Sequence, residues 1–141
     1  MENVNYLHSG LTMQLIQAFF KVYNTLGYGF LEKVYENAYA IELDALELKY
    51  QQQKPVSVYY NETKVGFYFC DIIVEEKVIL ELKSAENLCP QHEAQLINYL
   101  RATNIEVGLL LNFGKDPQFK RKVFSNKFKN YRKDNNTDYQ S

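Results

Sequence analysis

The sequence predicts one α/β domain in which helices flank a mixed four-stranded β-sheet. Two patterns indicate this class: two N-terminal segments carry apolar residues at helical spacing, and four later apolar runs have strand length with turn residues between them. With 141 residues, 46% of them hydrophobic, the chain can bury a core of ordinary size. We expect the domain to span residues 1–130 and residues 131–141 to form a polar, flexible tail.

Two helices are predicted before the first strand. In residues 11–26, Leu15 and Phe19 belong to an apolar set that recurs at helical spacing, and the glycines that follow suit a helix end. The same spacing predicts a second helix over about residues 31–48. The polar run over residues 50–54 is expected to end the helical region before the strands begin.

Three strands are predicted next, as a meander. They cover residues 56–60, 65–74 and 78–83, and residues 61–63 and 75–77 have the composition of tight turns. The three runs are rich in β-branched and aromatic residues, which fit a pleated surface. The meander therefore supplies the first three strands of the sheet.

A third helix, a fourth strand and a last helix complete the predicted order α-α-β-β-β-α-β-α. Pro90 suits a helix start, residues 93–103 carry a helical pattern, and residues 107–113 form a continuous apolar run typical of a strand buried on both faces. A crossover through a helix joins parallel strands, so residues 107–113 should pair in parallel with residues 78–83. The basic segment after Lys115 is expected to form the last helix, so that helices cover both faces of the sheet.

Charge is unevenly distributed along the chain. The net charge is −1, but the sequence from Lys115 onward holds eight Lys or Arg and three Asp, which leaves eight cationic and 14 acidic residues, a net charge of −6, before it. The basic end can contact phosphates, with Phe124, Phe128 and Tyr131 interleaved as stacking platforms. A solvated terminal helix has the same pattern, and both interpretations stay open.

Cysteine usage and hydropathy indicate the compartment. Cys70 and Cys89 form no disulfide framework, which favours a reducing environment. No segment approaches the ~18 consecutive apolar residues of a membrane helix, and the N-terminus shows no secretory signal pattern. We therefore expect a cytoplasmic protein without membrane contact.

Three ionisable residues, Asp71, Glu81 and Lys83, lie inside apolar strands. Burying an unpaired ionised group is costly, so such a cluster is usually kept because its charges pair or hold a metal ion. Opposite charges that pair across a sheet surface give a similar pattern, so Glu-x-Lys alone is weak evidence. By the two-residue strand period, their apolar neighbours on the same face are Phe67, Phe69 and Ile73 for Asp71, and Ile79 for Glu81 and Lys83. Together the three residues suit a metal-dependent phosphodiester hydrolase.

Four blocks in order carry a family resemblance. Residues 29–35 read G-x-x-E-x-x-Y, Asp71 precedes Glu81-Leu82-Lys83, and two further blocks cover residues 92–99 and 107–114. In these blocks, which span roughly residues 15–124, the chain resembles the GxxExxY family of the PD-(D/E)xK nuclease superfamily. The resemblance implies a restriction-endonuclease-like core and a nuclease that hydrolyses phosphodiester bonds of nucleic acid, with DNA favoured over RNA as the substrate.

A magnesium or manganese site is expected from the same residues. Hard dications take oxygen ligands and keep several waters, so Asp71 and Glu81 suffice as protein carboxylates. The resemblance implies that the Leu82 carbonyl and Glu32 add to this site. Lys83 would then orient the attacking water or stabilise charge on the phosphate, which makes Asp71, Glu81 and Lys83 the catalytic set.

Four further residues are expected near the substrate. Gln95 and Tyr99 are four apart on one helix edge and resemble a Q-x-x-x-Y element, with His92 one turn earlier. Tyr35 shares a helix face with Glu32. For Gln95 and Tyr99 the alternative is a buried tyrosine whose hydroxyl is satisfied by a neighbour, and for His92 it is an ordinary helix-start residue. Helix-surface charges are expected at Glu36 and Glu93.

Two function classes remain open from the sequence. A nuclease groove is expected to be positive, whereas the first 114 residues are acidic. The alternative is therefore a non-catalytic nucleic-acid-binding or adaptor protein that keeps the nuclease fold. A homodimer or a partner protein is compatible with either class.

Overall fold

The computed structural model describes residues 7–129, so the predicted tail over residues 131–141 lies outside the described part of the chain. Within that part the chain forms three α-helices, five β-strands and a 3₁₀ turn. The helices are α1 (Ser9–Leu26), α2 (Glu32–Ala45) and α3 (Pro90–Ala102). The strands are β1 (Tyr50–Tyr60), β2 (Thr63–Val74), β3 (Val78–Lys83), β4 (Val107–Phe113) and β5 (Pro117–Val123), and the 3₁₀ turn is Asn126–Phe128.

The five strands form one sheet in the order β1-β2-β3-β4-β5. β3 and β4 run parallel, with Leu80 opposite Leu109, and every other neighbouring pair is antiparallel. The predicted α/β class and the parallel pairing of the third and fourth strands are therefore confirmed. The prediction of four strands is wrong, because a fifth strand lies beside β4.

This fifth strand replaces the helix that was expected after Lys115. β4 is buried along its whole length, and a buried strand cannot leave its outer backbone N–H and C=O groups unpaired. β5 satisfies them by antiparallel pairing over its seven residues. Lys120 and Lys122 are two residues apart, the strand period, and both bind Glu93 of α3, at 3.1 and 2.6 Å. The basic pattern therefore has a strand period rather than a helical one.

β1 begins earlier than the sequence suggests. The polar run over residues 50–54 belongs to this strand, and Gln52 pairs with Ile72 of β2. Backbone pairing along β2, rather than side-chain polarity, decides this boundary. The consequence is that Gln52 and Gln53 of β1 lie beside α2, where both contact Glu36.

Helices cover both faces of the sheet, as predicted. α1 and α2 pack on one face, where Phe19 and Tyr39 lie with Leu80 and Leu109 of the sheet in one core. α3 packs on the other face, where Leu96 and other residues form a second core, the α3-side core, with Cys70, Ile73, Ile79 and Leu110. None of the helices in the described part of the chain is long and apolar enough to cross a membrane.

The β1–β2 hairpin extends past the end of β3. β2 pairs with β3 only from Ile72 to Val74, and from there toward its start it pairs with β1 alone. We call residues 53–71 of this hairpin the arm. Asn61 and Glu62 at its tip have φ angles of 48° and 65°, the pair of positive values that a two-residue hairpin turn requires. Because it continues past the end of β3, the arm lies alongside α3.

Candidate active site

The strand alternation of β2 is broken at Asp71. Cys70 and Ile73 are three residues apart, yet both are buried in the α3-side core. Regular alternation puts positions three apart on opposite faces of a sheet. On β1, Gln53 lies at this level with a φ of 54°, and the described ladder skips the Gln53–Asp71 pair. The irregularity leaves the Asp71 side chain at the edge of β3.

The predicted face of β2 is therefore only partly correct. Phe67 and Phe69 are exposed, whereas Ile73 is buried in the α3-side core, so the three do not share one environment with Asp71. Tyr68, which lies between the two phenylalanines, faces Tyr99 of α3 instead. The prediction that all of these residues lie on one strand face is wrong because it assumed an undistorted strand.

Asp71 and Glu81 are held together by backbone hydrogen bonds. The N–H of Asp71 donates to Oε1 of Glu81 at 3.1 Å, and the N–H of Leu82 donates to Oδ2 of Asp71 at 2.8 Å. Glu81 is almost fully buried and Asp71 is half-buried. Because each contact involves the main chain of the neighbouring strand, the relative position of the two carboxylates follows from the strands themselves.

The two carboxylates stand in an environment that disfavours negative charge. Burial, with Asp71 adding to it, raises the pKa of Glu81 to about 8. Burial also raises the pKa of Asp71, and Glu36 adds to this effect, although the hydrogen bond from the Leu82 N–H opposes it. A bound cation would offset this cost and favour the ionised form of both groups.

Lys83 lies on the α3 side of the same site. Its Nζ donates to Oε1 of Gln95 at 3.0 Å, and Nε2 of Gln95 donates to the Tyr99 hydroxyl at 2.9 Å. Lys83 also lowers the pKa of both Asp71 and Glu81, which places its charge close to the carboxylates. The structure thus brings five predicted site residues into one connected group.

Glu32 approaches the site from the first turn of α2. Its Oε2 accepts a hydrogen bond from the N–H of Ser84, directly after β3, at 3.1 Å. Its charge contributes to the raised pKa of Glu81, although it is a smaller cause than burial and Asp71. Glu32 therefore faces the end of β3, on which the other predicted residues lie.

Glu36 is a residue that sequence reasoning placed wrongly. It is buried, with 4% of its surface exposed, and it accepts hydrogen bonds from Gln52 and Gln53 of β1 at 2.7 and 2.8 Å and from Lys33 at 3.2 Å. Gln53 also donates to Asp71 at 3.3 Å, so it links the two acids. The expectation of a helix-surface charge is therefore wrong. The available signal was its position one turn after Glu32 on the same helix face.

Tyr35 lies apart from the carboxylates. It is fully buried in the core shared by α1 and α2, and its ring stacks on Phe113 with centroids 4.2 Å apart. Its hydroxyl donates to the Gly27 carbonyl at 2.7 Å and accepts from the N–H of Phe30 at 3.2 Å. Because its hydroxyl contacts main-chain groups and its ring stacks in the core, the structure gives Tyr35 contacts with the fold rather than a place at the substrate site.

His92 lies at the start of α3. Its Nδ1 accepts a hydrogen bond from the N–H of Cys89 at 3.2 Å, as part of a capping box. It also lines a cavity beside Gln95 and Tyr99. Both sequence interpretations, helix start and proximity to the predicted substrate residues, therefore describe its position.

The donor chemistry of this site fits a hard dication. Among residues 7–129, no group of three or more His, Cys, Asp or Glu side chains is arranged to hold a metal ion. Asp71 and Glu81 form a pair, and a dication that keeps several waters needs only one or two carboxylates. The N–H and C=O of one strand residue point to the same neighbouring strand, so the Leu82 carbonyl faces the Asp71 side and offers a further oxygen.

Comparisons with known proteins identify a superfamily. The family model of the PD-(D/E)XK nuclease superfamily matches residues 9–123. No curated protein matches the chain. Among solved structures, the crystal structure of SSO0001 is similar at 16% identity with a TM-score of 0.49, and the match covers 86% of this chain and 61% of that one. The chain thus spans less than two thirds of that structure. The narrower GxxExxY family stays a prediction.

Proposed function

Because this chain belongs to the PD-(D/E)XK nuclease superfamily, we propose that it is a Mg²⁺- or Mn²⁺-dependent nuclease that cleaves phosphodiester bonds, with DNA as the preferred substrate. The observation that carries the proposal is the linked pair Asp71 and Glu81 beside Lys83. Buried acids with raised pKa values next to a cation are costly in a purely structural role, and such groups concentrate at functional sites.

The residues divide into two roles. Asp71, Glu81 and the Leu82 carbonyl would hold the cation, and Glu32 would approach it from α2. When bound, the cation acts as a Lewis acid on the phosphate and lowers the pKa of the attacking water. The high pKa of the metal-free Glu81 means that this residue must give up its proton when the cation binds.

Lys83 acts on the substrate. Gln95 accepts one hydrogen bond from its ammonium, which has three donors, so two remain for the attacking water and a phosphate oxygen. Its charge also opposes the negative charge that develops on the phosphate during displacement. Gln95 and Tyr99 are positioning residues, because they fix the direction of the Lys83 side chain from α3.

A cleavage assay with a matched acid control tests the proposal. Labelled single-stranded and duplex DNA, and RNA of the same sequence, are incubated with the purified chain in Mg²⁺, in Mn²⁺ and in EDTA. Glu81→Gln should abolish metal-dependent cleavage. Glu93→Gln, an acid on α3 that pairs with Lys120 and Lys122, should keep it. Equal activity of wild type and Glu81→Gln would contradict the proposal, and binding without cleavage would support the non-catalytic alternative.

A further inference from the structure

A cavity of about 400 Å³ lies between the arm and α3. Tyr68 of β2 lines it on one side, and Gln91, Gln95, Asn98 and Tyr99 are among the residues of α3 that line the other. Its volume falls in the range of small-molecule pockets. We call this cavity the α3 pocket.

Tyr68 gives the α3 pocket an accessible aromatic wall. The side chain is 52% exposed, and its ring centroid lies 5.6 Å from that of Tyr99 at an interplanar angle of 53°. The two rings are therefore tilted rather than stacked, and the Tyr68 ring keeps a face for another planar group. Gly66, two residues earlier on β2, has nothing within 4 Å of where a Cβ would lie, so the wall is open on that side.

Amide groups supply the polar part of the pocket. Gln91 and Asn98 are exposed, and each amide offers both a donor and an acceptor. The lining residues carry no carboxylate. A planar aromatic wall combined with amides matches the faces and edges of a nucleobase, which proteins bind by stacking and by edge hydrogen bonds.

The pocket adjoins the proposed catalytic lysine. Gln95 lines it and accepts the hydrogen bond from Lys83, and Tyr99 lines it and accepts from Gln95. An occupant would thus be one side chain away from Lys83. A second cavity, of about 420 Å³, is lined by Lys49, Glu75 and other residues near the β2–β3 turn, at the opposite end of β3 from Lys83. Of these two cavities, the α3 pocket is the one near enough to hold part of a substrate whose phosphate lies at the carboxylates.

We infer that the α3 pocket binds an unpaired nucleobase of the strand being cut, with Tyr68 as its stacking platform. This inference rests on the proposed function and narrows it to single-stranded DNA or frayed ends. A base inside a duplex is stacked on both faces and paired at its edge, so it would have to leave the helix before reaching Tyr68. Tyr68 and Asn98 are then residues that determine substrate form.

A binding experiment in EDTA tests the pocket apart from catalysis. Fluorescence anisotropy measures the affinity of a labelled single-stranded DNA, its duplex, and the same strand with abasic sites. The wild type should prefer the single strand with bases. Tyr68→Ala should weaken that binding by about ten-fold or more, the effect of losing one base-stacking contact, whereas Tyr68→Phe should keep it.

Phe67→Ala is the matched control. Phe67 is 51% exposed, adjacent to Tyr68, and on the other side of β2, so its loss should leave the affinity unchanged. Asn98→Ala should weaken binding of the strand with bases but not of the abasic strand. Circular dichroism checks that each variant is folded. Because these side chains are exposed, we expect their substitution to leave the fold intact.

The outcomes separate the inference from the proposed function. If the chain cleaves DNA but Tyr68→Ala and Phe67→Ala bind single strands equally, or the abasic strand binds as well as the normal one, the pocket assignment is overturned and the nuclease proposal stands. If no cleavage occurs, but Tyr68→Ala binds the single strand more weakly and wild type binds the abasic strand more weakly, the pocket assignment stands and the nuclease proposal fails.

Discussion

The backbone N–H of Asp71 donates a hydrogen bond to the carboxylate of Glu81, so one proposed metal ligand is positioned by the main chain of the other. In return, the N–H of Leu82, next to Glu81, holds the Asp71 carboxylate. Side-chain substitutions leave these N–H groups in place. The two ligands can therefore be removed one at a time without releasing the one that remains.

Asp71→Ala should abolish metal binding while the fold is kept. The variant retains the N–H that holds Glu81, but it removes one of the two carboxylates that we propose as ligands. Isothermal titration calorimetry with Mn²⁺ should show heat for wild type and none for the variant. Asp44→Ala, which removes an exposed acid bonded to Tyr50, is the control and should bind Mn²⁺ like wild type. Unchanged binding by Asp71→Ala would remove Asp71 from the site.

The stability of the metal-free protein should fall as the pH rises. Burial raises the pKa of Glu81 from about 4.5 to about 8, so between these values the unfolded chain has lost the proton that the folded chain keeps. The free energy of unfolding should therefore decrease from about pH 5 to about pH 8, by a few kcal/mol at most, and this contribution should level off above that. Urea unfolding in EDTA across this range measures it.

Glu81→Gln should flatten that pH dependence and raise the stability at neutral pH. The amide keeps the shape of the side chain and cannot ionise. Glu93→Gln is the control, because Lys122 and Lys120 lower the pKa of Glu93 and its titration therefore lies below this range. A wild-type profile that stays flat from pH 5 to 8 would show that the Glu81 pKa is not raised in the folded protein.

Lys83→Ala should separate metal binding from cleavage. Removing a positive charge beside the carboxylates should leave Mn²⁺ affinity unchanged or higher. Cleavage should fall by roughly 10²- to 10⁴-fold, the usual effect of losing an acid-base or charge-stabilising group. Calorimetry and single-turnover cleavage measure the two effects on the same preparation. Cleavage at the wild-type rate, or loss of the folded state, would make Lys83 a structural residue.

Some of this arrangement was predictable from the sequence because it depends on local periodicity. Two apolar runs of strand length joined by a tight turn place Asp71, Glu81 and Lys83 in adjacent strands, and the intervening helix predicts the parallel pairing of β3 and β4. These signals lie within single segments. They need no knowledge of which surfaces meet.

The parts that were missed depend on contacts between distant segments. Glu36 is buried because Gln52 and Gln53 of β1 reach it, and no local pattern places that polar run in the sheet. The position of Asp71 depends on a distortion opposite Gln53 rather than on alternation. The basic segment of β5 predicts a helix from sequence alone, because cations on a strand and on a helix surface give similar patterns until the contacts of Glu93 with Lys120 and Lys122 are known.

Gln95→Ala should reduce cleavage because Lys83 loses the group that positions it. Gln95 directs the Lys83 ammonium, so its loss should lower the cleavage rate by about ten-fold or more and leave Mn²⁺ affinity unchanged. In a double-mutant cycle, Gln95→Ala should have almost no further effect once Lys83 is alanine, because coupled residues are not additive. Gln91→Ala, which changes a neighbouring exposed amide on α3, provides the additive comparison. If Gln95→Ala slows cleavage equally with and without Lys83, the two residues act separately and the positioning role of Gln95 is wrong.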